Sequence, residues 1–161
     1  MDPQAIREFI ELKCPGTRVL VASRESGAPE AAWGDSFFIY DPEGNLPSQR
    51  QFPYATIVVK DYPGFDEFSQ LNRPGIFRLN LGLGKDDFHT ALGLSPNKFR
   101  EPATPAATED FAAVNRLMPH PVYAAQGWVC ILNPSRETFR ETIEPLIDAA
   151  YLKSLKAFRQ S

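Results

Sequence analysis

Residues 73–84, RPGIFRLNLGLG, decide how the chain folds. Beyond the Pro74-Gly75 turn signal, an extended backbone puts Ile76, Arg78 and Asn80 on one face and Phe77, Leu79 and Leu81 on the other. The second face is apolar and needs packing; the first carries a guanidinium and an amide. Such a strand belongs in a sheet whose apolar side is covered by helices, and it makes Arg78 and Asn80 the first candidate residues. On an open sheet face they can hold a carboxylate or phosphate. As scaffold, Arg78 pairs with Asp35 or Asp61 and Asn80 ties down a loop. Arg73 reads as a loop-end salt bridge.

Upstream, PYATIVVKD is a strong strand, and WGDSFFIYDPEGN supplies another over Asp35 to Tyr40 before its turn. With the polar LPSQRQF between them they form a hairpin-like pair. TRVLVAS predicts a strand from Thr17 to Ser23. Phe65, Phe68 and Leu71 fall at helical spacing and predict a short helix before Pro74-Gly75. The chain opens with Asp2 as N-cap, Pro3 at the first helical position, and Ile6, Phe9 and Ile10 along one face.

Downstream, KDDFHTALG reads as a short helix and LSPNKFREPATPAATED as a long loop. Asp110 to Leu117 predicts another helix, and VYAAQGWVCIL contains a strand over Trp128 to Leu132. Ser135 caps the last helix, where Phe139, Ile143, Leu146, Ile147, Ala150, Tyr151, Leu155 and Phe158 keep one face across Pro145, predicting a kink there. The expectation is one α+β domain over residues 1–161, an antiparallel sheet of about five strands with the N- and C-terminal helices on one face and residues 85–120 inserted.

The 161 residues are 43% hydrophobic, enough for a core, with a net charge of −3. No apolar run suits a membrane span and the acidic start lacks the features of a signal peptide, so a cytoplasmic protein is expected. Cys14 and Cys130 lack CxxC spacing and read as two reduced thiols; His89 and His120 are equally isolated, so no metal or cofactor is expected. GLGKDD has Gly82, Gly84 and Lys85 but not the rest of a phosphate loop, and no GxSxG, HExxH or GxGxxG motif is present. Neither half of the chain has the basic excess that nucleic-acid binders use to neutralise phosphates.

The blocks WGDSFFIYDP, PYATIVVKD, RPGIFRLNLG and HPVYAAQGWVCILNPS resemble a bacterial family of unknown function that carries RPGxFRLN and HPVYAxQGW. More distantly, the chain resembles the MmcQ/YjbR-like domains, called double-wing and related in shape to the frataxin/CyaY fold. There an N-terminal helix precedes an antiparallel sheet, and a tryptophan strand leads to a C-terminal helix. Asp148-Ala149-Ala150-Tyr151 stands where those domains carry Asp/Glu-Ser-Tyr. That likeness implies nucleic-acid binding as an alternative, through Arg136, Arg140, Lys153, Lys156 and Arg159.

His120 lies between prolines in PHPVYAAQGW, where a rigid segment either presents its ring to a pocket or clamps the long loop. Trp33 can wall a ligand pocket and Gln126 can point into it, whereas Trp128 on its strand reads as core. The function expected is a non-enzymatic binding module for a small molecule or protein. Its pocket lies between the polar sheet face and residues 85–120, lined by Arg78, Asn80, His120, Tyr123 and Gln126, with Trp33 as a further candidate. A hydrolase or isomerase using His120 beside Asp35 or another carboxylate is the second alternative.

Overall fold

The computed structural model describes residues 1–100 and 109–160. Asp2 accepts a hydrogen bond from the Ala5 amide and starts α1, Pro3–Lys13, with Pro3 in its first turn. The strands are β1 Thr17–Val21, β2 Ser36–Tyr40, β3 Ala55–Val58, β4 Arg78–Gly82, β5 Met118–Pro119 and β6 Trp128–Leu132. They form a single antiparallel sheet in the order β1-β2-β3-β4-β6-β5. The helix α2 spans Lys85–Leu92. At the end of the described chain, α3 Arg136–Thr138 runs through a π turn, Phe139–Ile143, into α4 Glu144–Arg159.

Register fixes what each face carries. Phe38, Ala55, Leu81 and Val129 lie across the sheet in one row, and Ile57, Leu79 and Ile131 in another. Both rows point at Ile6 and Ile10 of α1, Ile143 of the π turn, and Ile147 and Ala150 of α4, forming the main core. Each fully buried Ile or Leu there contributes about 1.5–3 kcal/mol. Phe9 and Phe139 meet edge to face at 5.2 Å and join α1 to the C-terminal helical run. The opposite face carries Thr56, Asn80, Cys130 and Met118 in one row and Val58, Arg78 and Leu132 in the next. It is covered by loops: Leu71 and Phe111 reach down to Val58, Met118, Cys130 and Leu132 and make a second, smaller core.

The α+β fold with N- and C-terminal helices on one face is therefore as expected, with three differences. A sixth strand, β5, is too short to show a period in sequence. Residues 62–75 form turns, not a helix, because Pro63-Gly64 closes a tight loop bridged between Tyr62 and Asp66, and Gly64 and Gln70 hold positive φ. Asp110 to Leu117 also turns: the Asp110 carboxylate accepts from the Ala112 amide, Asn115 has positive φ, and the Asn115 amide donates to Leu132 O of β6. Beyond α2, Pro96–Phe99 forms a 3₁₀ turn, while residues 101–108 of the expected long loop lie outside the described residues. At Pro145 the interruption takes the form of the preceding π turn, which closes with the Glu144 amide donating to Phe139 O.

Candidate functional site

Arg78 opens β4, projects onto the loop-covered face and is 1% exposed. Its Nε donates to Asn80 Oδ1 at 2.8 Å, Nη1 to Ser69 Oγ at 2.8 Å and Asp66 Oδ1 at 3.3 Å, and Nη2 to Asp66 Oδ2 at 2.6 Å. Asp66 and Ser69 come from the turns of residues 62–75, whose Tyr62 and Asp66 exchange backbone hydrogen bonds. Asn80 passes the polarity along β3, its Nδ2 donating to Thr56 Oγ1 at 3.0 Å. A fully buried guanidinium is tolerated because its charge and four of its five N–H groups are met in this way.

His120 follows β5, and its backbone amide extends the ladder to Trp128 O at 3.0 Å. Its Nδ1 accepts from the Val122 and Tyr123 amides, both at 3.0 Å, so the ring is stapled into the turn that its flanking prolines begin. Nε2 lies 3.4 Å from Arg78 Nη2. Burial, and then the Arg78 charge, hold His120 well below its ordinary value of 6.5, so the ring is neutral near pH 7. At the other end of the network, Asp35 accepts from the Val59 amide at 2.9 Å and from the Tyr62 hydroxyl; burial raises its carboxyl.

Above this floor lies a cavity of about 330 Å³. Phe37 of β2, Thr56 and Val58 of β3, Arg78 and Asn80 of β4 and Trp128 of β6 supply the sheet side. Pro53, Tyr62, Phe65, Asp66, His120 and Tyr123 supply the walls from the loops. Phe65 and Tyr123, 54% and 43% exposed, stand at the mouth with ring centroids 6.3 Å apart. Its size and its mostly apolar wall around a few fixed polar groups match small-molecule sites. With its Nδ1 lone pair given to two amides, His120 is poorly placed as a general base and well placed as a fixed donor through Nε2.

A family model described as a family of unknown function, DUF6194, matches residues 1–161. The chain belongs to DUF6194. No curated protein and no solved structure matches it.

In this DUF6194 chain the fold brings Arg78, Asn80, His120 and Tyr123 to one cavity, and it leaves two other candidates elsewhere. Gln126 is exposed at the end of the 3₁₀ turn Ala124–Gln126 and does not line the cavity. Trp33 ends the turn Glu30–Ala32, where its Nε1 donates to Ala28 O at 2.9 Å, also away from the cavity. Trp128, expected in the core, is half-buried and forms part of the wall. Arg78 pairs with Asp66 rather than Asp35 or Asp61: Asp61 is occupied by the Leu71 amide. Arg73 bonds carbonyls, those of Ser69, Gln70 and Ala112, and so ties the turns of residues 62–75 to the neighbouring turns of residues 110–117. Asp66, Ser69, Tyr62 and Phe65 escaped the sequence reading; the Pro63-Gly64 pair beside them was the available signal that they sit on a loop.

The basic residues of the DUF6194 chain fall into two groups. Arg136 and Arg140 are exposed at the start of the C-terminal helical run, and Lys153, Lys156 and Arg159 are exposed near its end. At 1.5 Å per residue the groups lie roughly 20 Å apart, with Glu141, Glu144 and Asp148 between them. Lys153 also donates to Leu83 O at 3.3 Å. Among the described residues, no cluster of His, Cys, Asp and Glu is arranged to hold a metal ion, and no helix is long and apolar enough to cross a membrane. Cys14 and Cys130 are buried free thiols, and burial pushes Cys130 up to about 12.

Proposed function

We propose that this chain is a non-enzymatic small-molecule-binding protein whose ligand occupies the cavity between the sheet and the loops carrying Phe65 and Tyr123. The observation that carries this reading is the floor: Arg78, Asn80 and His120, each at most 4% exposed, are drawn together beneath an open, aromatic-walled space. A core needing only stability is served as well by apolar residues of similar volume. Binding is favoured over acid–base chemistry because the Nδ1 lone pair of His120 is already engaged. The nucleic-acid alternative that accompanies the MmcQ/YjbR-like likeness lacks support from the two separated basic groups.

The test is thermal-shift screening of small apolar compounds against the wild type, Phe65→Ala and Tyr123→Ala, whose changes fall on exposed rim residues. A ligand at a hundredfold its dissociation constant adds about 2.7 kcal/mol to the folded state. Stabilisation of the wild type that shrinks in both rim variants is expected. Compounds that stabilise all three proteins equally would place binding elsewhere and overturn the reading.

A further inference from the structure

The hydrogen-bond bookkeeping of the cavity floor has a direction. A guanidinium has five N–H groups. Four of those on Arg78 have acceptors, and the fifth, on Nη2, faces His120 Nε2. Because Nδ1 of His120 accepts from two amides, the neutral ring carries its proton on Nε2. Two N–H groups therefore meet at 3.4 Å, and neither can accept from the other. Thr56 repeats the pattern: its Oγ1 accepts from Asn80 Nδ2, which leaves its own proton to be donated. Among the described residues no acceptor is in hydrogen-bond range of His120 Nε2 or of the Thr56 hydroxyl proton, and both side chains line the cavity.

We infer, resting on the pocket reading above, that the ligand presents a neutral carbonyl oxygen to His120, Arg78 and Thr56 and an aromatic or branched apolar body to the walls. The oxygen supplies the acceptor that the floor lacks. A carboxylate is disfavoured because the charge of Arg78 is already spent on Asp66 at 2.6 Å and Asp35 lies on the same network, so a further buried anion has no cation of its own. An ammonium is disfavoured because it brings donors to donors: Asp66 faces Arg78 with both oxygens, and Asp35 faces Val59 and Tyr62.

Four probes of nearly one size separate these cases: acetophenone, ethylbenzene, benzoate and benzylammonium. The full chain labelled with 5-fluorotryptophan reports them by ¹⁹F resonance, since Trp128 lines the cavity and Trp33 lies outside it as an internal control. Acetophenone is expected to move the Trp128 signal with an affinity about tenfold better than the other three, the worth of one good hydrogen bond. His120→Asn keeps an acceptor where Nδ1 serves the two amides and deletes the Nε2 donor. It is expected to weaken acetophenone about tenfold more than it weakens ethylbenzene. Ethylbenzene, benzoate or benzylammonium binding as tightly as acetophenone, with the signal lost in Tyr123→Ala, would overturn the carbonyl inference while the pocket reading stands. Silence of Trp128 towards all four at millimolar concentration would overturn both. The wild-type series decides the matter by itself if His120→Asn does not fold.

Discussion

Replacing Arg78 by Met strands the Asp66 carboxylate, 4% exposed, without its counter-charge. That single change is expected to cost about 3–5 kcal/mol in urea unfolding, because an unpaired buried charge is far worse than none. Adding Asp66→Leu is expected to recover most of the loss, a non-additivity that a merely solvated pair would not show. His120 makes the fold sensitive to acid. Its folded-state value lies below the ordinary 6.5, so the unfolded chain takes the proton more readily. The stability it contributes is complete above pH 6.5 and is lost as pH falls from there towards the folded value. Asp35 has the opposite sign: burial raises it above 3.8, so its contribution is present below that value and is lost as pH rises through the folded one. Comparing wild type with His120→Asn isolates the histidine, and only the wild type is expected to carry its destabilisation as pH falls below 6.5. Equal pH slopes in chemical denaturation would refute the assignment. Arg78, Asn80 and His120 were legible because polar side chains on packable elements demand partners. Asp66 and Ser69 were not, because a loop residue carries no period to say which way it points.

Among the elements, β4 and β6 were readable because a two-residue period or a continuous apolar run over five residues has few alternatives. The i, i+3 spacing of Phe65, Phe68 and Leu71 misleads for a physical reason. Two successive turns also bring every third residue to one side, and Pro63-Gly64 with positive φ at Gln70 favours turns over helix. The start of β6 provides a sharper test of local geometry. Gly127 has φ +89° and a Cβ there would come 2.5 Å from Leu83 O, whereas Gly64 has φ +74° and open space. Gly64→Ala is expected to cost about 1 kcal/mol, the left-handed backbone penalty alone. Gly127→Ala adds a backbone collision and is expected to cost about 3 kcal/mol or more. Equal losses of melting temperature in the two variants would contradict this account.

Across the whole molecule, one sheet separates two unlike layers: interlocked helices on one side and loops held by a handful of polar bonds on the other. Arg73 is the tie between those loops, reaching Ser69 O at 3.1 Å and Ala112 O at 2.9 Å. Arg73→Met is expected to speed amide exchange in residues 66–73 and 110–116 while α1 and α4 stay protected, because the helix-side core does not depend on it. Exchange rising uniformly over all elements would show that the two layers are not separable. The alternation of β4 also has a genetic consequence. One codon inserted after Arg78 within Arg78–Gly82 would turn the following side chains over, sending the Asn80 amide into the helix-facing core and leucine onto the cavity face, so both layers fail together. The same codon inserted among the exposed residues 47–50 only lengthens a surface connection, at a cost that grows slowly with length. Length variation among descendants of this gene should therefore be absent from the strand that holds the floor and concentrated in that connection.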